Sequence, residues 1–160
     1  MSQFLNDSLS KQIERGEIFF TGQDYAVSNF NTDDNSQIII TTGANECQVN
    51  ISIEAGCPIT FSLYEGSTHT GGSSITQYNM RRSVAGSLST VVKTFPATVS
   101  IAGATLLAIR YSENGTGLQL TPFNYESGII LNASTEYYYS IANSGPINSS
   151  LSVSLFLREL

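Results

Sequence analysis

Residues 47–65 have the sequence "CQVNISIEAGCPITFSLYE", and two alternating segments within it decide the class of fold. In the first, Val49, Ile51 and Ile53 occupy every second position, with polar residues between them. Residues 59–65 follow the same rule. A period of two residues is typical of a β-strand with one buried face. The Ala-Gly-Cys-Pro turn between the segments predicts that the two strands pair as an antiparallel hairpin.

Similar segments continue to the end of the chain. The further strands are predicted at 17–20, 25–30, 36–42, 88–101, 104–112, 128–132, 136–143 and 151–157. Pro96 indicates an edge strand or a bulge, and alternation within Tyr137-Tyr138-Tyr139 predicts two rings outside a sheet and one inside. In 151–157 leucine and valine alternate with two serines and Phe156. About nine short strands without an interior helix predict an all-β fold, an antiparallel β-sandwich of jelly-roll type.

The first 16 residues are the one segment with a helical pattern. Leu5, Leu9 and Ile13 are spaced four residues apart, and Gly16 can end a helix. A lone helix of this length is marginal in water. We therefore expect residues 1–16 to form an arm that orders only against a neighbouring protein, and residues 17–160 to form a single β-sandwich domain.

Composition excludes several classes of function. Charged residues make up 12% of the 160 residues, about half of the usual share of roughly 25%. The net charge of −6, with 7 Lys and Arg in total, disfavours nucleic-acid binding. No apolar run approaches the roughly 20 residues of a membrane span, and the N-terminus lacks a signal-peptide core. We expect synthesis in the cytoplasm, no membrane partner, and two reduced cysteines at Cys47 and Cys57.

Catalytic patterns are sparse. His69 is the single histidine, and it lies in a polar stretch without a nucleophile motif near it. No metal-ligand spacing or cofactor fingerprint is present, so we expect no metal and no cofactor. A weaker alternative is a glycan-cleaving enzyme, whose paired carboxylates would come from Glu54, Glu65, Glu113 and Glu126. We expect a protein that is not an enzyme.

The stretch 66–83 is polar, rich in glycine and closed by two arginines. We expect it to be a long contact loop that begins one residue after Glu65. A guanidinium can bind a carboxylate or several carbonyls. We therefore predict that Arg81 or Arg82 binds either Glu65, as a structural anchor of the loop, or the loop backbone, while the other arginine faces a neighbouring subunit. The alternative is that both arginines are solvated surface residues.

The serial order of several motifs resembles that of a known family. These motifs are Tyr64-Glu65-Gly66, Gly71-Gly72, Asn79 to Arg82 and Thr135-Glu136-Tyr137-Tyr138. In this order, over most of residues 16–160, the chain resembles the β-sandwich head decoration, or capsid cement, proteins of tailed bacteriophages. It differs in lacking a tryptophan in the closing strand and in carrying the N-terminal arm.

The resemblance implies a virion protein that binds the outer surface of the major capsid protein lattice as a homotrimer and stabilises it. The candidate interface residues are Phe4, Leu5, Leu9, Ile13, His69, Tyr78, Arg81 and Arg82. The alternative is a jelly-roll module of a phage particle that binds carbohydrate or a host surface. Such a module needs an exposed aromatic cluster, for which the candidates are Tyr64, Tyr78, Tyr125 and Tyr138.

Overall fold

The computed structural model describes residues 9–32, 34–83, 85–112 and 128–160, and this part of the chain is almost entirely β. It contains one helix, α1 (Leu9–Arg15). The strands are β1 (Phe19–Phe30), β2 (Asn35–Thr41), β3 (Cys47–Ala55), β4 (Ile59–Glu65), β5 (Thr68–Ser74), β6 (Tyr78–Asn79), β7 (Val91–Ser100), β8 (Thr105–Ser112), β9 (Ile129–Leu131), β10 (Glu136–Asn143) and β11 (Ser149–Glu159).

These strands form two antiparallel sheets that pack face to face as a β-sandwich. Sheet A has the order β6-β1-β11-β3-β9, and sheet B has the order β5-β7-β2-β10-β4-β8. The pairs β1·β11, β2·β10, β3·β9 and β4·β8 are nested, as if one long hairpin had been wrapped around the core. Pairs in alternate sheets are the arrangement of a jelly roll. The predicted fold class is confirmed, and β5, β6 and β7 are an insertion between β4 and β8.

The core lies between the sheets and is built from every second residue of each strand. In β11, Leu151, Val153, Leu155 and Leu157 are buried, while the serines between them are partly exposed. In β10 the inward residues are Tyr137, Tyr139 and Ile141. The prediction that two of the rings in Tyr137-Tyr138-Tyr139 lie outside the sheet was therefore wrong. Two rings face the core, and only Tyr138 faces outward.

The predicted hairpin at 47–65 was wrong. β3 belongs to sheet A and β4 to sheet B, so the turn between them crosses from one sheet to the other. Alternation of apolar and polar residues shows only that each strand buries one face. Two strands in opposite sheets have the same pattern as two paired strands, because both bury a face in the core between the sheets. Cys57 in the turn is buried, and the Gly56 amide donates a hydrogen bond to the Ser150 carbonyl at 3.2 Å. Segments 17–20 and 25–30, predicted as two strands, belong largely to the single strand β1.

Half of the predicted loop at 66–83 is strand, because it contains β5 and β6. β5 pairs with β7 along its length, with a bulge where Gly71 (φ 67°) lies opposite Pro96. Phe95 beside it also has a positive φ, of 52°. Glycine adopts this left-handed conformation without strain, so Gly71 permits the bend. The prediction of a bulge at Pro96 is confirmed.

Beyond this bend, β5 and β7 cross the outer face of sheet B. β7 pairs with β2, whereas β8 pairs with β4 on the far side of β10, and only residues 101–104 join β7 to β8. In the plane of the sheet, β7 and β8 would be four strand spacings apart, about 19 Å, which is more than four linking residues can span. The chain must therefore cross over the face of the sheet. We call the paired segments 68–71 and 96–100 the crossing ribbon. Ile39, on the outer face of β2, is 0% exposed, which is the burial expected of a residue beneath the crossing ribbon.

The helix is attached to the sandwich. It ends at Gly16 (φ 73°), whose amide donates to the Ile13 carbonyl at 2.9 Å. Asn79 Nδ2 donates to the Gly16 carbonyl at 2.8 Å, and the Met80 amide donates to the Ile18 carbonyl at 2.9 Å. Residues 9–16 thus contact the sandwich of their own chain, and residues 1–8 lie outside the described part. That the arm orders only against a neighbouring protein stays a prediction.

Candidate functional site

Three aromatic side chains form a row across the outer face of sheet A. The strand register places Tyr78 of β6 beside Phe20 of β1, and Phe20 beside Phe156 of β11. The Phe20 and Phe156 ring centroids are 5.4 Å apart with a tilt of 48°. Tyr78 is 49% exposed and Phe20 37% exposed. We call these three residues the aromatic row; it is a platform of ring faces and edges open to solvent.

Polar residues lie on one side of the aromatic row. The next register row contains Gly22, Ser154 and Ser52, and the one after it contains Asp24, Ser152 and Glu54. Ser152 Oγ donates to Asp24 Oδ1 at 2.5 Å, and both carboxylates are exposed. A Cβ at Gly22 would lie 2.6 Å from the Val153 carbonyl oxygen, so this position excludes a side chain. The outer face of sheet A therefore has the aromatic row, then a low floor formed by Gly22 and Ser154, and then an acidic margin formed by Asp24 and Glu54.

On its other side the aromatic row borders a small pocket beneath α1. The pocket is lined by Gln12, Ile18, Gln48, Asn50, Phe156, Leu157 and Arg158, and it holds a group of about the size of one water molecule. Arg158 is buried and lies 3.0 Å from Glu17 through Nη2, while its Nε has no hydrogen-bond partner. A buried donor without a partner is costly, and because solvent barely reaches this atom, the cost falls on the fold and does not make the Nε a contact of the open pocket.

The two arginines contact neither each other nor Glu65. The Arg81 guanidinium donates to the Glu14 carbonyl in the last turn of α1, where a helix leaves carbonyls unpaired. The Arg82 guanidinium carbon lies 5.0 Å from the centroid of the Tyr78 ring, a cation–π contact. Both side chains are exposed. Arg81 thus anchors the helix, and Arg82 supports the aromatic row, in place of the predicted link to Glu65.

Glu65 instead accepts hydrogen bonds from two residues at the edge of the core. Its Oε1 accepts hydrogen bonds from Tyr137 Oη at 2.6 Å and from Asn132 Nδ2 at 2.7 Å. Tyr137 Oη also accepts from the Asn132 amide at 2.8 Å. Burial, with the Glu65 carboxylate beside it, raises the pKa of Tyr137 to about 12. Glu65 is therefore a structural anchor of the β10 end of sheet B, with different partners from those predicted.

His69 joins the crossing ribbon to the sheet beneath it. Its Nδ1 lies 2.8 Å from Glu136 Oε2, and its Nε2 lies 3.3 Å from Lys93 Nζ. With Nδ1 donating to the carboxylate, Nε2 accepts from the ammonium. Ser67 Oγ adds a hydrogen bond to Glu136 Oε1 at 3.3 Å. The imidazole side chain is 11% exposed and held on both nitrogens, so this cluster positions the ribbon.

β8 forms an apolar edge of sheet B. Among the described residues it pairs only with β4, and within that part of the chain no strand lies on its other side. Its exposed apolar residues are Leu106, Leu107, Ile109 and Tyr111. Arg110 carries the one charge of the strand, and its Nη1 donates to the Ile109 carbonyl at 2.9 Å. We call this strand the β8 edge.

The predicted interface residues lie at separate places. Phe4 and Leu5 are outside the described residues, and Leu9 lies on α1. Ile13 is partly exposed on the same helix. Tyr78, Arg81 and Arg82 are exposed near one another on sheet A, whereas His69 lies mostly enclosed on sheet B. Among the aromatic candidates for the alternative function, Tyr64 stacks on Tyr138 with centroids 5.9 Å apart, and Tyr125 is outside the described residues.

Sequence reasoning missed the two phenylalanines of the aromatic row and the whole β8 edge. The sequence did indicate that Phe156 is outside the core, because the alternation in 151–157 places it on the same side of the strand as the serines. Its alignment with Phe20 depends on the pairing of the first and last strands, which no local pattern encodes.

Both cysteines are free and buried, as predicted. Burial raises the pKa of Cys47 to about 11, which keeps its thiol protonated. In the described ranges no three His, Cys, Asp or Glu side chains are placed to hold a metal ion. Within the same ranges, α1 is too short to cross a bilayer.

Comparison with known proteins gives no assignment: the chain matches no protein-family model and no curated protein.

Proposed function

We propose that this protein is a virion component that decorates and stabilises the capsid of a tailed phage. Its partner is the major capsid protein, and it lies on the capsid exterior as a homotrimer. The order of motifs along the chain supports this proposal, as does a surface suited to protein docking. The observation that carries it is the β8 edge.

The β8 edge differs from the other sheet edges. β6 and β9 have two and three residues, and short edges resist unwanted strand pairing. β5 is polar and bulged at Gly71. β8 has eight residues, four of them exposed and apolar. Proteins normally protect such an edge, so its apolar character here favours a dedicated docking surface.

A docking surface of this kind suits a lattice protein. An edge strand offers main-chain hydrogen bonds to an extended partner segment, and its apolar side chains supply burial. Many copies acting together on a lattice increase the total binding free energy, so each contact can be small. Closed symmetric clusters, such as trimers, match local symmetry axes of a capsid.

The test is binding to capsids that lack the protein. Wild-type protein and the variant Ile109→Lys are mixed with purified heads, and bound protein is measured after sedimentation. Ile109→Lys places a charge in the β8 edge and is expected to lower the bound fraction at least tenfold. The matched control is Ile147→Lys, because Ile147 is also exposed but belongs to the connection between β10 and β11 and not to β8. Equal binding of wild type and Ile109→Lys would refute the role of the β8 edge.

A further inference from the structure

We propose that the aromatic row and its polar margin form a binding site for an uncharged oligosaccharide. This site lies on sheet A, whereas the β8 edge belongs to sheet B, and the inference does not depend on the capsid function.

The aromatic row provides the stacking surface. Pyranose rings have apolar faces of C–H groups, which pack on aromatic rings, while their hydroxyls remain free for hydrogen bonds. Tyr78 and Phe20 are adjacent in the register and remain exposed. Arg82 lies over the Tyr78 ring, which limits the orientations of both side chains. A ring held in place before binding loses less conformational entropy when the ligand arrives.

The neighbouring rows provide polar groups on the scale of a sugar. Adjacent strands are about 4.8 Å apart, and successive residues on one face about 7 Å apart. Asp24 and Glu54 therefore lie two register rows from the aromatic row, across the low floor at Gly22 and Ser154. Carboxylates accept hydrogen bonds from vicinal hydroxyls, and the serine hydroxyls can donate or accept.

The pocket beneath α1 gives a third contact. It is lined by Phe156 and by the polar residues Gln12, Gln48 and Asn50, with the buried Arg158 behind them. One ligand hydroxyl fits a pocket of this size, where the amide side chains in the lining can donate to it or accept from it. The site thus combines ring faces, carboxylate acceptors and amide side chains that can donate or accept.

Charge narrows the class of ligand. Asp24 and Glu54 are exposed at the margin, Arg82 lies over the Tyr78 ring, and the whole chain carries a net charge of −6. A nucleic acid or a sialylated glycan that reaches from the row to the margin would meet repulsion from Asp24 and Glu54 there. A largely apolar peptide would leave the serine and carboxylate groups of the floor and margin without partners. Neutral oligosaccharides can both stack on the aromatic rings and form hydrogen bonds with the polar groups.

The probe is an array of glucose-, galactose- and mannose-based neutral oligosaccharides together with sialylated ones, incubated with the purified full chain. The best neutral oligosaccharide is then titrated by saturation-transfer NMR, which detects weak binding. We expect Tyr78→Ala to weaken binding about tenfold and Tyr78→Phe, which keeps the ring, to bind like wild type. The matched control is Tyr111→Ala, because Tyr111 is also exposed but lies on the β8 edge.

Three results would overturn the proposal. The first is an array on which wild-type protein binds no neutral oligosaccharide. The second is stronger binding to sialylated than to neutral glycans. The third is a Tyr78→Ala variant that binds as tightly as wild type, or a Tyr111→Ala variant that loses as much. A circular dichroism spectrum and melting temperature like those of wild type establish that each variant is folded. Phe20→Ser, on the same row, repeats the test independently should Tyr78→Ala fail to fold.

Discussion

The crossing ribbon makes a strong prediction about Ile39. This residue is on the outer face of β2, where a sandwich normally meets solvent, yet it is 0% exposed. Replacing a fully buried isoleucine by alanine costs about 2–5 kcal/mol, from lost burial and the cavity left behind. In a chain of 150–250 residues each kcal/mol lowers the melting temperature by about 2–4 °C. Ile39→Ala is therefore expected to lower it by about 4–20 °C.

The matched control is Ile109→Ala, because Ile109 is also on the outer face of sheet B but is 38% exposed. It should cost less than about 1 kcal/mol, since part of its side chain is already in water. Both variants are compared with wild type by differential scanning calorimetry and urea unfolding. Equal losses for the two, or no loss for Ile39→Ala, would refute the crossing of sheet B by the ribbon.

Three further outcomes follow from individual contacts. Tyr137→Phe, which deprives Glu65 of a donor, should cost about 1–3 kcal/mol in urea unfolding, whereas exposed Tyr78→Phe should be neutral; equal effects would contradict the network. Burial acts to raise the pKa of Glu159, but hydrogen bonds from Ser89 and Thr90 outweigh it and lower the pKa below 4.5. Its stabilisation is therefore present above pH 4.5 and lost at lower pH, so Glu159→Gln should destabilise at pH 7 and converge with wild type in acid; a constant difference would disagree. Burial raises the pKa of Cys47 to about 11, so a thiol reagent at pH 8 should modify it only after unfolding, and rapid labelling of the native protein would contradict its burial.

Local patterns predicted strand positions well and strand partners poorly. The bounds of β4 and β10 agree with the sequence prediction, because each is a period-two segment ended by a turn residue. The same period cannot say which of two sheets a strand joins, so 47–65 was predicted as a hairpin although it spans both sheets. The strand β5 was missed because Thr-His-Thr-Gly-Gly-Ser-Ser lacks apolar alternation and depends on pairing with β7.

The candidate surfaces were predictable only in part. Tyr78 and Arg82 follow a polar stretch and were expected to be exposed, which they are. Their association with Phe20 and Phe156 results from the pairing of β6, β1 and β11, which are distant in the sequence. The β8 edge was predicted as a strand, but its apolar residues gave no sign that they lie at an edge.

The most direct test of the central proposal is the copy number of this protein in purified phage particles. Quantitative mass spectrometry of gradient-purified virions measures its molar ratio to the major capsid protein. Decoration of a regular lattice predicts a fixed, simple ratio that is the same in complete particles and in heads without tails. A few copies per particle, or recovery only with the tail fraction, would contradict the capsid function.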